Sequence, residues 1–598
     1  MKRLFLLFGL FSALSLQAGL LPQAGDSFWR DSIPETMRQS YIQYGEQYLG
    51  KPWTVLPWTV FAENKISGNR VNYEAVCFGK RRHLAAIVMA EIMENKGRFL
   101  PDIIDGMGSF CEETWWGIPA HYNKRIPLPE LQEVDLFNAE TASLIAWTRY
   151  MLQPQLDQFS KDICQRVDRE IERRILKPAL AKDYWWKKAA MNWNPWICSN
   201  WLTCVLICEK DEARKAQAIQ QIKQATKAFV DAYPEDGGCD EGPGYWDRAA
   251  ASMFEVMRLL DLEAGPKTRQ MAAYAYRTYI GGGYCINFAD AHENRAVQQV
   301  NIVYPFGRWL GDKTMREFGA WLGRERQILE NPAALYDKSG NFPTLGRELL
   351  FLRNIRDFIA ENPTEPLLKD VWLPDLQIMT ARRGNLFVAM KGGHNDESHN
   401  HNDVGSFVVY TQHDGLFMPL FIDPGVGEYT AKTFSKDRYT IWTMQSQYHN
   451  LPQINGQDEK DGKQYAAKVV AHKQGLLTLD IAGAYPSDAA VKSWKRTVKA
   501  MKSAISVTED YQLSDCREPV RLMLITTIKP EISQADGSAV RLGRHSLQFD
   551  SRQLSASVED ISRQLDPLLQ GMWGPRMFRI VLTVNGTAKN NKISYTIR

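Results

Sequence analysis

The densest polar stretch of the chain runs from Gly392 through His394, Asn395, Asp396, Glu397, Ser398, His399, Asn400, His401 and Asn402 to Asp403, and it holds three of the ten histidines. A segment this polar, leading into Val404, Phe407 and Val409, is costly to bury without a purpose. On a strand, His399 and His401 would point to the same face, because side chains alternate with a period of two. One imidazole could then hold a metal while the other faces a substrate; a solvated polar loop is the plainer alternative. Asp423, in Phe421-Ile422-Asp423-Pro424-Gly425, and His449, in Tyr448-His449-Asn450, complete a metal set with one of those histidines. Two imidazoles and a carboxylate suit Zn²⁺, with water in a fourth position. Taken singly, Asp423 also reads as the start of a turn and His449 as a hydrogen-bonded core histidine.

Three further islands lie earlier. In Met191-Asn192-Trp193-Asn194-Pro195-Trp196, two amides sit in an apolar wall; the alternative is an Asn helix cap before Pro195. In Asp236-Gly237-Gly238-Cys239-Asp240-Glu241-Gly242-Pro243-Gly244-Tyr245-Trp246, glycines let backbone approach a ligand closely, and Tyr245 follows the Glu241 carboxylate by four residues. A connecting loop with a half-buried Tyr245 is equally compatible. In Cys111 to Tyr122, Trp115, Trp116 and His121 offer either a sugar subsite or packing. Arg438 and Tyr439 lie between Asp423 and His449. Arg438 can grip a carboxylate or sulfate with two donors, or serve as a structural ion pair.

The elements that must carry these residues change character along the chain. Up to about residue 360 the apolar spacing is helical: Ile219, Ile222, Ala225 and Phe229 form one stripe, Met253, Met257 and Leu260 another, and Glu133 to Leu152 reads as a long buried helix. Pro154, Pro195, Pro234 and Gly281-Gly282-Gly283 punctuate the runs. Many helices of similar length without a fixed sequence period predict a helical array or toroid. Around Asn362-Pro363-Thr364-Glu365-Pro366 the pattern shifts. Afterwards short alternating runs dominate, such as Phe578-Ile580-Leu582-Val584 and Ile593-Tyr595-Ile597, with Asp414-Gly415 and Asn455-Gly456 as turns. The second half is predicted to be a large antiparallel sandwich.

Composition bounds the function. The 598 residues are 44% hydrophobic and 24% charged, which excludes a mostly disordered chain, a collagen-like fibre and a multi-span membrane protein. Net charge is +3 and no basic stripe appears, so nucleic acid is not an expected partner. Lys2 and Arg3 precede an apolar run from Leu4 to Leu16 and a small residue at Ala18, the form of a signal peptide over 1–18 in an exported protein. The nine cysteines are odd in number and not spaced as a disulfide framework; Cys198, Cys204 and Cys208 read as small core residues.

Together these islands resemble the heparinase II/III-like family of polysaccharide lyases. The matching pieces are Asn192-Trp193-Asn194, Asp236-Gly237 through Glu241-Gly242 and Tyr245, His399-Asn400-His401-Asn402-Asp403-Val404-Gly405, Asp423-Pro424-Gly425, and Ser446 with His449-Asn450. The resemblance covers most of residues 100–460. It implies a multidomain α plus β fold, with an incomplete (α/α) toroid over 19–362 and an antiparallel β-sandwich over 363–598. It implies β-elimination on an anionic, uronate-containing polysaccharide or oligosaccharide such as a glycosaminoglycan or alginate, with no organic cofactor. By motif, Asn192 would neutralise the substrate carboxylate, with Asn194 as its rival; some relatives carry Asn-His where Asn192-Trp193 stands. Tyr245 would be acid and also a candidate base. His399 would be the partner base or stabilise the carboxylate. His401, Asp423 and His449 would hold a structural Zn²⁺. Glu241, Trp116, His121, Arg438 and Tyr439 are candidates for contacting the glycan.

Two other readings compete. A glycoside hydrolase on an (α/α) toroid would need two opposed carboxylates, for which Asp236, Asp240 and Glu241 are candidates clustered in one loop. A glycan-binding protein without activity is the third; the joint presence of Asn192, Tyr245 and His399 argues against it.

Overall fold

The computed structural model describes residues 20–291, 299–331, 344–533 and 537–598. The expected signal segment 1–18 lies outside the described residues. The chain divides into two compact units: Met1–Tyr233 with Asp247–Ala272 and Gln298–Glu365, and Pro234–Trp246 with Ala273–Val297 and Pro366–Arg598. The change of pattern near Asn362 thus lies beside the Glu365/Pro366 division, and two earlier segments join the second unit.

The first unit is built from helices. Its central one, Trp193–Cys208, carries apolar or small residues on nearly every side and is buried accordingly. It packs against Leu136–Phe159, Glu212–Ala232 and Ala250–Leu259. The helix Leu136–Phe159 starts where the Asp135 side chain accepts from the Asn138 amide at 2.7 Å, satisfying one of the donors a helix start leaves open. Glu212–Ala232 turns Ala218, Ile222, Ala225 and Phe229 inward, with Ile219 at the margin of the stripe. No helix among the described residues is long and apolar enough to cross a membrane.

The second unit is antiparallel β. A five-stranded sheet contains Asp370–Leu373, Ile378–Arg383, Leu386–Lys391, Phe407–His413 and Leu416–Phe421. An eight-stranded sheet is centred on Val491–Met501, Ala504–Leu513 and Asn590–Ile597, and a four-stranded one on Arg521–Thr526 and Phe578–Val584. Val388, Val409, Trp494, Val507, Leu524, Ile580 and Tyr595, drawn from all three sheets, share one core. Period-two alternation produces this, since one face of each strand is available for burial.

A buried ion pair ties that core to the loops that matter. Arg496 is fully buried against Glu509, with Nη2 2.7 Å from Oε1. Its Nη1 donates to the carbonyls of Gly405 (2.9 Å) and Asn450 (2.6 Å). Trp494 Nε1 donates to the same carboxylate at 2.7 Å. Removing one partner of a buried pair strands the other charge, at a cost of about 3–5 kcal/mol. Glu509→Ala is therefore expected to lower the unfolding free energy by about that amount, measured by denaturant titration followed by circular dichroism; a change within 0.5 kcal/mol, the ordinary surface range of about ±0.5, would contradict it.

Candidate active site

The site is organised around a residue that no sequence motif marks. Asp290 is buried, and four donors converge on its carboxylate. His399 Nδ1 lies 2.6 Å from Oδ2 and His401 Nε2 3.0 Å from Oδ1. The Tyr429 hydroxyl donates to Oδ2 at 3.0 Å, and Arg438 Nη2 donates to Oδ1 at 2.8 Å. Burial opposes ionisation, but the hydrogen bonds from His399 and His401 outweigh it and hold this carboxyl far below the usual carboxylate range. The only sequence signal is a single charge inside the apolar run Cys285-Ile286-Asn287-Phe288-Ala289-Asp290-Ala291.

Two loops meet beside it. Gly242 has φ +87°, and a Cβ there would come within 2.7 Å of the Phe288 carbonyl oxygen. Glycine thus lets the 236–246 loop lie against the Asp290 segment. Asp236 anchors the same loop by accepting from the amides of Gly238 (2.8 Å) and Asp375 (2.8 Å). Asp240 accepts from the Ser398 amide at 3.3 Å. Both carboxylates thus hold the loop in place.

Tyr245 and His399 then face each other. Their rings stack with centroids 4.1 Å apart and 28° between planes. The Tyr245 and Tyr429 hydroxyl oxygens are 2.8 Å apart. Tyr429 has one proton, and the Asp290 carboxylate can only accept it, so Tyr245 is the donor between the two phenols. Burial, and then the neighbouring Tyr245 and Asp290, push the Tyr429 phenol well above its ordinary value and keep it protonated. His399 Nε2 stands 3.4 Å from Glu241 Oε2. Burial lowers the basicity of His399, but the Asp290 hydrogen bond and charge, then Glu241, outweigh it and raise its pKa above that of free imidazole. With Nδ1–H committed to Asp290, Nε2 is the nitrogen left to exchange a proton with a substrate. Phe434, 61% exposed, stands edge-on to both His399 and Tyr429.

The expectation that His399 and His401 share a strand face is corrected. His399 sits in a loop with φ +58°, left-handed backbone that non-glycine residues seldom adopt. The two imidazoles still converge, because both donate to Asp290. Beneath them, buried Lys391 pairs with Asp403 (2.6 Å) and Glu397 (2.9 Å), pinning both ends of the loop to the end of strand Leu386–Lys391.

The metal set assembles as expected. His401, Asp423 and His449 are buried and offer ligand atoms within 4.8 Å of one another, a group that could hold a metal ion. The donor chemistry fits. His401 Nδ1 is buried with no hydrogen-bond partner, while its Nε2 is spent on Asp290. His449 Nε2 faces the Thr443 carbonyl at 3.0 Å, which fixes the proton there and leaves Nδ1 its lone pair, 2.9 Å from Asp423 Oδ2.

The remaining expected residues divide. Three of the five Arg438 N–H donors are committed, to the Asn400 carbonyl (2.9 Å), the Thr433 carbonyl (2.8 Å) and Asp290, so the structural ion-pair reading is the one the geometry carries. The Tyr439 hydroxyl accepts from Asn400 Nδ2 at 3.1 Å. In the helical unit, Asn194 is corrected to a structural role: it is fully buried and its amide donates to the Lys187, Ala189 and Ala225 carbonyls. Trp116 is also a core residue, with no exposed surface, its indole donating to the Phe110 carbonyl and the Arg174 guanidinium over its ring. His121 Nδ1 donates to Asp135 Oδ2 at 2.7 Å, and its ring lies 4.7 Å from the Trp193 ring, which in turn lies 4.9 Å from the exposed Trp185. Asn192 is buried just before the helix Trp193–Cys208 and makes no side-chain cap to it.

A helical region followed by antiparallel sheets is the architecture of heparinase III and chondroitin AC lyase structures, and the chain is similar to them in fold over nearly its full length. A heparan sulfate lyase HepC mutant from Pedobacter heparinus matches with TM-score 0.57 and 11% identity, over 98% of this chain and 87% of that one. A heparinase III matches with TM-score 0.59 and 11% identity, over 96% and 85%. A chondroitin AC lyase mutant from Streptomyces coelicolor A3 matches with TM-score 0.52 and 12% identity, over 94% and 82%. At these identities it is the fold that is shared. No family model matches the sequence, and a search of curated proteins finds no significant match.

Proposed function

We propose that the protein is an exported polysaccharide lyase that cleaves a uronate-containing glycan, a glycosaminoglycan or alginate, by β-elimination. The observation that carries this is the Tyr245–His399 pair, an acid and a base face to face and both tied to Asp290. The fold shared with heparan sulfate and chondroitin lyases supports it, and the signal-like start of the chain supports export.

The reaction breaks the C5–H bond of the uronate, forms a C4=C5 double bond from that electron pair, and breaks the C4–O4 bond. His399 Nε2 takes the C5 proton, with Asp290 fixing its tautomer and stabilising the imidazolium that results. Tyr245 gives its proton to the leaving O4 oxygen. A free phenol has a pKa of about 10, so Tyr245 needs no shift to act as acid. We assign to Asn192 the neutralisation of the uronate carboxylate, whose negative charge grows as C5 loses its proton. Glu241 orients the His399 ring. A Zn²⁺ held by His401, Asp423 and His449 would supply fixed positive charge that orders the His399 loop.

Phe434 offers a flat apolar surface for a sugar face. Phe434→Ala is expected to raise KM about two- to tenfold with little change in kcat, as aromatic contacts contribute about 0.5–1.5 kcal/mol; steady-state kinetics on the best substrate checks it, and an unchanged KM would remove Phe434 from the binding surface.

The test is incubation of purified protein with a panel of uronate polysaccharides, followed by ultraviolet absorbance of the unsaturated product. A rise with one glycan is expected and names its class. New reducing ends without that absorbance would overturn β-elimination.

A further inference from the structure

Two more imidazoles converge at the edge of the sandwich, apart from the Asp290 cluster. His413 ends the strand Phe407–His413 of the five-stranded sheet, and His545 opens the strand His545–Phe549 of the eight-stranded sheet. Their Nε2 atoms are 3.2 Å apart. The side-chain amide of Asn385, in the turn before strand Leu386–Lys391, lies 3.2 Å from the same His413 nitrogen.

Without a metal, one arrangement satisfies the two imidazoles: His413 Nε2–H donates to His545 Nε2, and the exposed Asn385 amide is left to solvent. His545 Nδ1 lies 3.1 Å from the Arg598 carbonyl oxygen, which can only accept. The His545 proton therefore resides on Nδ1, and Nε2 presents a lone pair to His413. If the Asn385 amide donates to His413 Nε2, that nitrogen also presents a lone pair, and two lone pairs oppose each other at hydrogen-bond distance. If His413 Nε2 carries a proton instead, it satisfies His545 only, and the Asn385 amide turns to solvent. A cation at the junction satisfies every group at once: two imidazole lone pairs and, with the amide turned, its oxygen. Which amide atom faces inward follows from the hydrogen-bond network and not from shape. The spacing agrees. Zn–N bonds of about 2.0–2.1 Å at a tetrahedral angle put two ligand nitrogens about 3.3 Å apart.

We propose that His413, His545 and Asn385 form a second metal site, for a first-row divalent ion of the Zn²⁺ or Cu²⁺ type. The Arg598 carbonyl is its outer-shell partner, orienting His545 as second-shell acceptors orient metal-binding histidines. His413 is half-buried and Asn385 exposed, which leaves a side open to water as a further ligand. The ion would clip the turn at Gly384-Asn385 and the 413–416 hairpin of one sheet to the other.

The experiment is equilibrium dialysis of the chelator-stripped full chain against micromolar free Zn²⁺, with bound metal counted by mass spectrometry and folding checked by circular dichroism. The wild-type protein is expected to hold two equivalents; His413→Gln, His545→Gln and His449→Gln are each expected to hold one. A thermal-shift titration with Zn²⁺ gives an independent reading: part of the Tm rise should vanish in His413→Gln. Equal metal content in the wild type, His413→Gln and His545→Gln would overturn the proposal. If that content is one equivalent and His449→Gln abolishes it, the His401–Asp423–His449 reading stands alone. If the single equivalent is lost in His413→Gln and kept in His449→Gln, the second site stands and the first falls.

Discussion

Tyr245→Phe is expected to lower kcat for β-elimination by about 10²- to 10⁴-fold, the range supplied by a positioned general acid, while glycan binding changes little. The structure makes this substitution unusually clean. The hydroxyl donates to Tyr429, which keeps its own bond to Asp290 when Tyr245 loses its oxygen. The ring stack on His399 at 4.1 Å survives in phenylalanine. Stability is therefore expected to stay close to wild type, and the loss to fall on kcat and not on KM. Product absorbance with glycan affinity measured by calorimetry separates the two. Retained turnover would take Tyr245 out of the reaction; lost affinity would make it a binding residue. A glycan-binding protein without activity would show neither change.

Asp290→Asn is the second large effect, and it strikes two functions together. One amide oxygen cannot accept from His399, His401, Tyr429 and Arg438, and the new NH₂ group opposes donors that have nowhere else to go. His399 loses both its fixed tautomer and the anion that stabilises its protonated form, so kcat is expected to fall by about 10²-fold or more. His401 loses its outer-shell acceptor, which typically costs about 10- to 100-fold in metal affinity. Kinetics and a competitive chelator titration measure the two independently. A drop in activity with unchanged metal affinity would mean that His401 is oriented by other contacts. Unchanged activity would remove Asp290 from the catalytic arrangement.

Much of the architecture could be read from the residues because it is written in period. The stripe at Ile222, Ala225 and Phe229 and the alternation at Ile593, Tyr595 and Ile597 each encode which face is buried, and both faces are buried in the structure. Turn chemistry at Asp414-Gly415 and Asn455-Gly456 was equally direct, with all four residues at positive φ. The cysteines are free, and eight of the nine are buried. The site was less legible, for a physical reason. His399 and His401 suggest a strand by spacing alone, yet the pairing of Lys391 with Glu397 and Asp403, and the bonds to Asp290, hold them in a loop instead. Asp290 and Tyr429 act through partners 109 and 139 residues away in sequence, a separation that leaves no local pattern. Arg438 has the residue type for sugar binding, but three of its five N–H donors are spent on Asn400, Thr433 and Asp290. Residue type announced the chemistry; only the count of remaining donors told which groups were free to perform it.

The β-rich unit borrows two stretches, Pro234–Trp246 and Ala273–Val297, from within the helical half of the chain. This bears on how such proteins can be recombined. A cut at the change of composition would yield a polypeptide with every strand of the five-, eight- and four-stranded sheets and with His399, His401, Tyr429 and Arg438, but without Glu241, Tyr245 or Asp290. Its donors would surround a missing anion. The unit is a module in space but not in sequence, so gene fusion or domain shuffling at that boundary would pass on a scaffold and leave the chemistry behind.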